Sequence, residues 1–110
     1  WGVSMGGATG VSLVAAEPRI KAAVIGLAGL LPGQAALAAA AASISVPIEF
    51  VLQWDDELVP REGSLALFDA FGSKEKTLHA NPGGHGRITD LESESWERFF
   101  LRHLRPQKTG

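Results

Sequence analysis

The chain contains no cysteine. That absence excludes a disulfide framework, a thiolate nucleophile and a cysteine-ligated zinc site, and it leaves the redox compartment open. Histidine is scarce as well. The three histidines, His79, His85 and His103, show no clustered spacing and give no metal signature. No excess of either charge is present: the net charge of −2 argues against a partner bound through charge, whether nucleic acid or an anionic membrane. Charge is missing altogether from Ala22 to Ile48, a stretch long enough to span a bilayer. Pro32, Gly33 and Gln34 interrupt its centre, however, and its second half is alanine and serine. A buried strand, a loop and an alanine-rich helix are therefore expected there rather than a membrane span. There is no internal repeat and no low-complexity linker beyond the alanines at 38–42, and no signal peptide is visible, although a truncated start would have lost one. The location is open, with the cytoplasm favoured.

What remains is enough for one modest domain. The 110 residues are 45% hydrophobic and 20% charged, the balance of a soluble globular protein. The expected domain covers residues 1–105, with 106–110 as a flexible tail. Along it the elements alternate. Met5 to Ala16 reads as a helix closed by Pro18, and its Gly6, Gly7 and Gly10 are tolerable if that helix lies very close to a sheet. Lys21 to Leu27 carries a short apolar run that fits a buried strand. Gln34 to Ala42 fits a helix, Ile48 to Gln53 a strand, Glu62 to Phe71 a helix closed by Gly72, and Lys76 to Ala80 a strand. Leu91 to Leu104 is the clearest helix, with Trp96, Phe99, Phe100, His103 and Leu104 at helical spacing. This alternation predicts an α/β fold with a parallel sheet flanked by helices. In such sheets functional residues gather beyond the carboxyl ends of the strands.

Three loops satisfy that condition, and each holds a chemically distinct residue. Ser4 lies in "GVSMG", a G-x-S-x-G pattern of the kind that presents a nucleophile on a sharp turn. The strand leading into it would have to end at about Val3. Asp55 and Asp56 lie in "QWDDELVP", and His85 lies in "NPGGHGR". A serine hydroxyl needs an adjacent base, neutral histidine can take its proton near neutral pH, and a carboxylate can hold the imidazole in the right tautomer. The amide of Met5, at the start of the first helix, would point at the developing oxyanion. Each residue also has a plainer reading: Ser4 as a helix N-cap, the aspartates as a solvated turn, His85 as a glycine-loop residue. His79 lies inside a strand rather than beyond it, and His103 reads as a packing residue on the last helix. Leu27 to Leu37 is read as core, or else as an acyl-pocket wall or small lid.

These residues resemble the α/β-hydrolase superfamily, where nucleophile, acid and base occur in this chain order. More narrowly, "GVSMGG" at 2–7, "DELVP" at 56–60 and "GGHG" at 83–86 are similar to the dienelactone-hydrolase-like and prolyl-oligopeptidase-like branches. The resemblance covers nearly the whole chain but only the second half of the family fold, its last three strands and the stub before Ser4. In those branches the acid sits in D-x-x-V-P, which selects Asp56 over Asp55. The implied enzyme is a serine hydrolase of carboxylic esters or related acyl compounds, working through a Ser4–His85–Asp56 triad whose members converge. That chemistry needs neither a metal nor a cofactor. Alternatives are a peptidase of the prolyl-oligopeptidase type and a catalytically silent interaction fragment. Trp54 stands where the family usually has a small residue, which predicts a differently shaped acid loop. The resemblance also implies a missing N-terminal half, or a second copy of the chain, pairing at an open sheet edge beside the first strand.

Overall fold

The computed structural model describes residues 1–3, 5–85 and 90–104. The elements alternate without exception: β1 (Gly2–Val3), α1 (Met5–Ala16), β2 (Ala23–Gly26), α2 (Ala35–Ser43), β3 (Ile48–Gln53), α3 (Arg61–Ala70), β4 (Lys76–Asn81) and α4 (Asp90–Leu104). The strands form one parallel sheet in the order β1-β2-β3-β4, with Gly2 beside Ile25, Ala23 beside Ile48 and Ile48 beside Lys76. Every carboxyl end therefore points to the same edge. The molecule is an α/β fold, as the alternation predicts.

The two faces of the sheet are built differently, and strand alternation explains why. Ile48, Phe50 and Leu52 of β3 face a dry layer in which Val11 of α1, Ala41 of α2 and Leu67 of α3 are fully buried. Phe50 is its centre, with ring centroids 6.0 Å from Phe68 and 5.9 Å from Phe71. Successive crossovers of one hand to the neighbouring strand place their helices on one side. The intervening residue Glu49 faces the opposite side and meets α4, where Ser95 Oγ donates to Glu49 Oε1 at 2.8 Å. All six residues of β3 are buried, whereas β4 is a partly exposed edge. No helix among the described residues is long and apolar enough to cross a membrane.

Glycine lets α1 settle onto the sheet. A Cβ on Gly7 would stand 2.7 Å from the Gly26 carbonyl oxygen and 2.9 Å from Ala28 Cβ, so only glycine fits. Gly2, the first glycine of the G-x-S-x-G pattern, faces the backbone of Gly6, the last, so the end of β1 and the first turn of α1 touch directly. Gly6 itself would present its Cβ to no neighbour among the described residues, contrary to the expectation that all the helix glycines serve close packing.

Other boundaries shift for identifiable reasons. β2 is shorter than the apolar run and stops at Gly26, because Leu27 turns to φ 53° while its amide donates to the Val51 carbonyl. α3 ends at Ala70, and Phe71 is extended with φ −57° and ψ 128°. Gly72 is thus no left-handed cap. Its amide donates to Ala41 O at 3.1 Å, and a Cβ there would strike the backbone at the end of α2, so glycine is set by helix-to-helix approach. On α4 the inward stripe starts earlier than its aromatics suggest, at buried Glu92, while Leu104 is 51% exposed. The expected tail, residues 106–110, lies outside the described residues.

Candidate active site

The β3–β4 ladder does not stop where the strands do. Trp54 N donates to Asn81 O at 2.7 Å and Asp55 N donates to Gly83 O at 3.0 Å, so the two loops leave the sheet as a bonded pair. Gln53 Nε2 adds a bond to Gly84 O at 3.2 Å. Gly83 makes the return turn with φ +110°, a conformation glycine adopts without strain.

Inside that pair, Asp56 uses both oxygens. Oδ1 accepts from the amides of Leu58 at 2.8 Å and Val59 at 2.9 Å, a local turn that locks the side chain. Oδ2 lies 2.7 Å from His85 Nδ1. The Asp56 side chain is 2% exposed and that of His85 14%. Burial pushes the Asp56 carboxyl up, but the hydrogen bond from His85, the amides of Val59 and Leu58 and the attraction of the His85 charge together hold it below the ordinary aspartate range. Asp56 therefore remains a carboxylate at neutral pH, and His85 Nδ1 faces an acceptor. Asp56 is the partner of His85, and Asp55 is not: its Oδ2 accepts instead from Gly83 N at 3.1 Å.

Ser4 lies outside the described residues. It follows Val3, the last residue of β1, and precedes Met5, the first residue of α1. The Met5 amide belongs to the first turn of α1, where N–H groups have no acceptor within the helix. Trp54 is 44% exposed and turns outward. The Arg61 guanidinium lies 3.9 Å above its ring and donates twice to its carbonyl, at 3.1 and 2.9 Å. Of the segment Leu27 to Leu37, Leu27 and Ala28 are buried core, whereas residues 31–36 are exposed.

His79 proves to be part of a half-buried polar cluster. Its Nε2 lies 3.1 Å from Glu49 Oε1 and its Nδ1 3.2 Å from Glu92 Oε2, while Asn81 Nδ2 donates to Glu92 Oε1 at 2.6 Å. A cavity of about 220 Å³ lined by Glu49, His79, Ser95 and Phe99 adjoins it, on the α4 side of the sheet and away from the loops of Asp56 and His85. Sequence reasoning did not single out Glu49 or Glu92. The available signal was a lone glutamate inside the apolar strand "PIEFVLQ". His103 packs on Phe99 at 4.7 Å between centroids and reaches Glu75 at 3.6 Å. The third acid of "DDE", Glu57, was also missed: its Oε2 accepts from the backbone amide of His85 at 3.1 Å.

No protein-family model and no curated protein matches the chain. Among solved structures it is similar to a cold-adapted esterase from an Arctic intertidal metagenomic library. With the zinc-bound and native forms of that esterase the TM-score is 0.89 and the identity 36%, over 96% of this chain and 48% of the esterase chain. With the complex bound to polyethylene glycol the TM-score is 0.83 and the identity 40%, over 92% of this chain and 44% of that one. The chain thus spans about half the length of the esterases whose fold it shares.

Proposed function

We propose that this chain carries the nucleophile, base and acid of a serine hydrolase acting on small carboxylic esters. The observation that carries this reading is the 2.7 Å contact of Asp56 Oδ2 with His85 Nδ1, made by two loops at the carboxyl edge of the sheet, the edge toward which β1, the strand that precedes Ser4 in the sequence, also runs. With the Nδ1 proton held by Asp56, the Nε2 lone pair of His85 takes the proton of Ser4 as its oxygen attacks the ester carbonyl. The tetrahedral oxyanion forms against the Met5 amide at the amino end of α1. Its collapse breaks the bond to the alkoxy oxygen, which leaves as the alcohol with the proton from His85. Water, deprotonated by the same nitrogen, then attacks the acyl-serine and releases the acid. Asp56 stays ionised throughout and stabilises the imidazolium.

Esters are favoured over peptides because the solved structures that share this fold at 36–40% identity are of an esterase. The D-x-x-V-P acid loop supports a dienelactone-hydrolase-like branch. Since the chain spans about half of those esterases, we further propose that an N-terminal half of the fold pairs with β1 and supplies the second oxyanion donor. The decisive experiment is a fluorophosphonate probe. Stoichiometric labelling of Ser4, abolished in Ser4→Ala, is the expected result. An unlabelled protein would favour an interaction role without catalysis.

A further inference from the structure

The loop that carries His85 is poorly suited to hold a catalytic side chain by itself. It reads Pro82-Gly83-Gly84-His85, and two successive glycines leave the backbone the widest conformational freedom available. The contact of Asp56 with Nδ1 acts on the ring and not on the Cα from which it projects. Something else must hold the backbone from which the imidazole projects.

That hold comes from the acid loop opposite. Three consecutive carboxylates grip three points: Asp55 takes the Gly83 amide at 3.1 Å, Asp56 the His85 ring at 2.7 Å and Glu57 the His85 amide at 3.1 Å. The Glu57 carboxylate also occupies the space beside Gly84, where a Cβ would come within 2.5 Å of Glu57 Oε2. Glu57 is otherwise exposed, so the core does not need it. A charge-assisted bond to a backbone amide is stronger than a neutral one, and this one acts at the residue whose position matters most.

We propose that Glu57 is a positioning residue: its carboxylate oxygen fixes the backbone of His85, and thereby the direction in which Nε2 points. This rests on the serine-hydrolase reading of the same site. Displacing a catalytic group by about 1 Å can cost up to about 10² in rate, which sets the expected size of the effect.

The test uses the full-length protein with Glu57→Ala and Glu57→Gln, and measures the rate of fluorophosphonate labelling of Ser4 across pH, hydrogen exchange at the His85 amide, and thermal unfolding. Glu57→Ala should label about 10- to 100-fold more slowly on the pH plateau, with the midpoint of the pH profile unmoved and the thermal transition near that of the parent. Exchange at the His85 amide should speed up in that variant. Glu57→Gln keeps an oxygen acceptor and should label within about threefold of the parent. A labelled parent with an equally fast Glu57→Ala overturns this inference alone. Equal slowing of both variants, or a shifted pH midpoint in both, overturns it in favour of a role for the charge. An unlabelled parent overturns the hydrolase reading and this inference with it.

Discussion

Asp56 serves two masters with its two oxygens, and this makes it sensitive to a single-atom change. The amides of Leu58 and Val59 both require an acceptor at Oδ1, while Oδ2 must accept from His85 Nδ1. An asparagine can meet only the first demand. With its carbonyl on the two amides, its NH2 faces Nδ1 and drives the imidazole proton to Nε2, the nitrogen that acts as base in the proposed hydrolase. Asp56→Asn should therefore lower kcat for a simple activated ester by about 10³- to 10⁴-fold. Asp55→Asn should change it little, because its oxygen can still accept from Gly83. Equal losses in the two would refute the assignment. The depressed carboxyl of Asp56 also fixes the sign of a pH effect. A folded-state value below the unfolded one contributes stability above the ordinary aspartate range, and that contribution disappears as pH falls through the folded value. Denaturant titrations from about pH 6 to pH 3 should show this acid limb in the parent and a flatter one in Asp56→Asn.

The contact of α1 with β2 makes a comparable demand on backbone shape. Gly7→Ala would drive a methyl to 2.7 Å from the Gly26 carbonyl and 2.9 Å from Ala28 Cβ, neither of which can rotate away. Lifting the helix off the sheet should cost about 1–3 kcal/mol by thermal or denaturant unfolding, more than any gain in helix propensity. An unchanged midpoint would show that α1 does not sit this close. The elements themselves were largely legible in the amino-acid sequence. Met5–Ala16 and Ile48–Gln53 are bounded by Pro18, Pro47 and a change of periodicity, so their limits coincide with the expectation. Since the strands end at Gln53 and Asn81, the positions of Asp56 and His85 just beyond them were legible too. What was not legible depends on a second segment. Gly72 looks like a helix cap until α2 is seen against it, and Glu92 looks like a solvated helix residue until His79 and Asn81 are found beneath it. Asp55 and Glu57 look like a charged turn until the glycine loop places its amides opposite them. Ser4, the nucleophile expected from the G-x-S-x-G pattern, lies outside the described residues, so its place remains an expectation.

Taken as one body, the molecule has a firm side and a bare side. β3 is buried through all six residues, whereas β1 is Gly2 and Val3 and, among the described residues, has a neighbour on one side, β2. Trp1 leans on Trp96 with ring centroids 5.6 Å apart yet is 75% exposed, and Leu13 on α1 is 57% exposed. A cleft of about 190 Å³ runs between them, lined by Trp1, Gly10, Leu13 and Ile25. A strand edge with no neighbour among the described residues, beside exposed apolar side chains, is a surface suited to pairing with another segment. Val3, the last residue of this strand, directly precedes Ser4 in the sequence. In the proposed hydrolase, the covering segment is the N-terminal half of the fold, in keeping with the roughly twofold greater length of the esterases that share this architecture. Residues 1–110 alone should then hydrolyse an activated ester poorly. Loss of one oxyanion donor costs about 10²- to 10³-fold. Adding the separately expressed N-terminal half should restore turnover, and should do so less well when Leu13→Asp places a charge in the cleft. Full turnover by residues 1–110 as a monomer would refute the argument, because it would mean that a strand paired on one side holds the nucleophile and that no second half supplies an oxyanion donor.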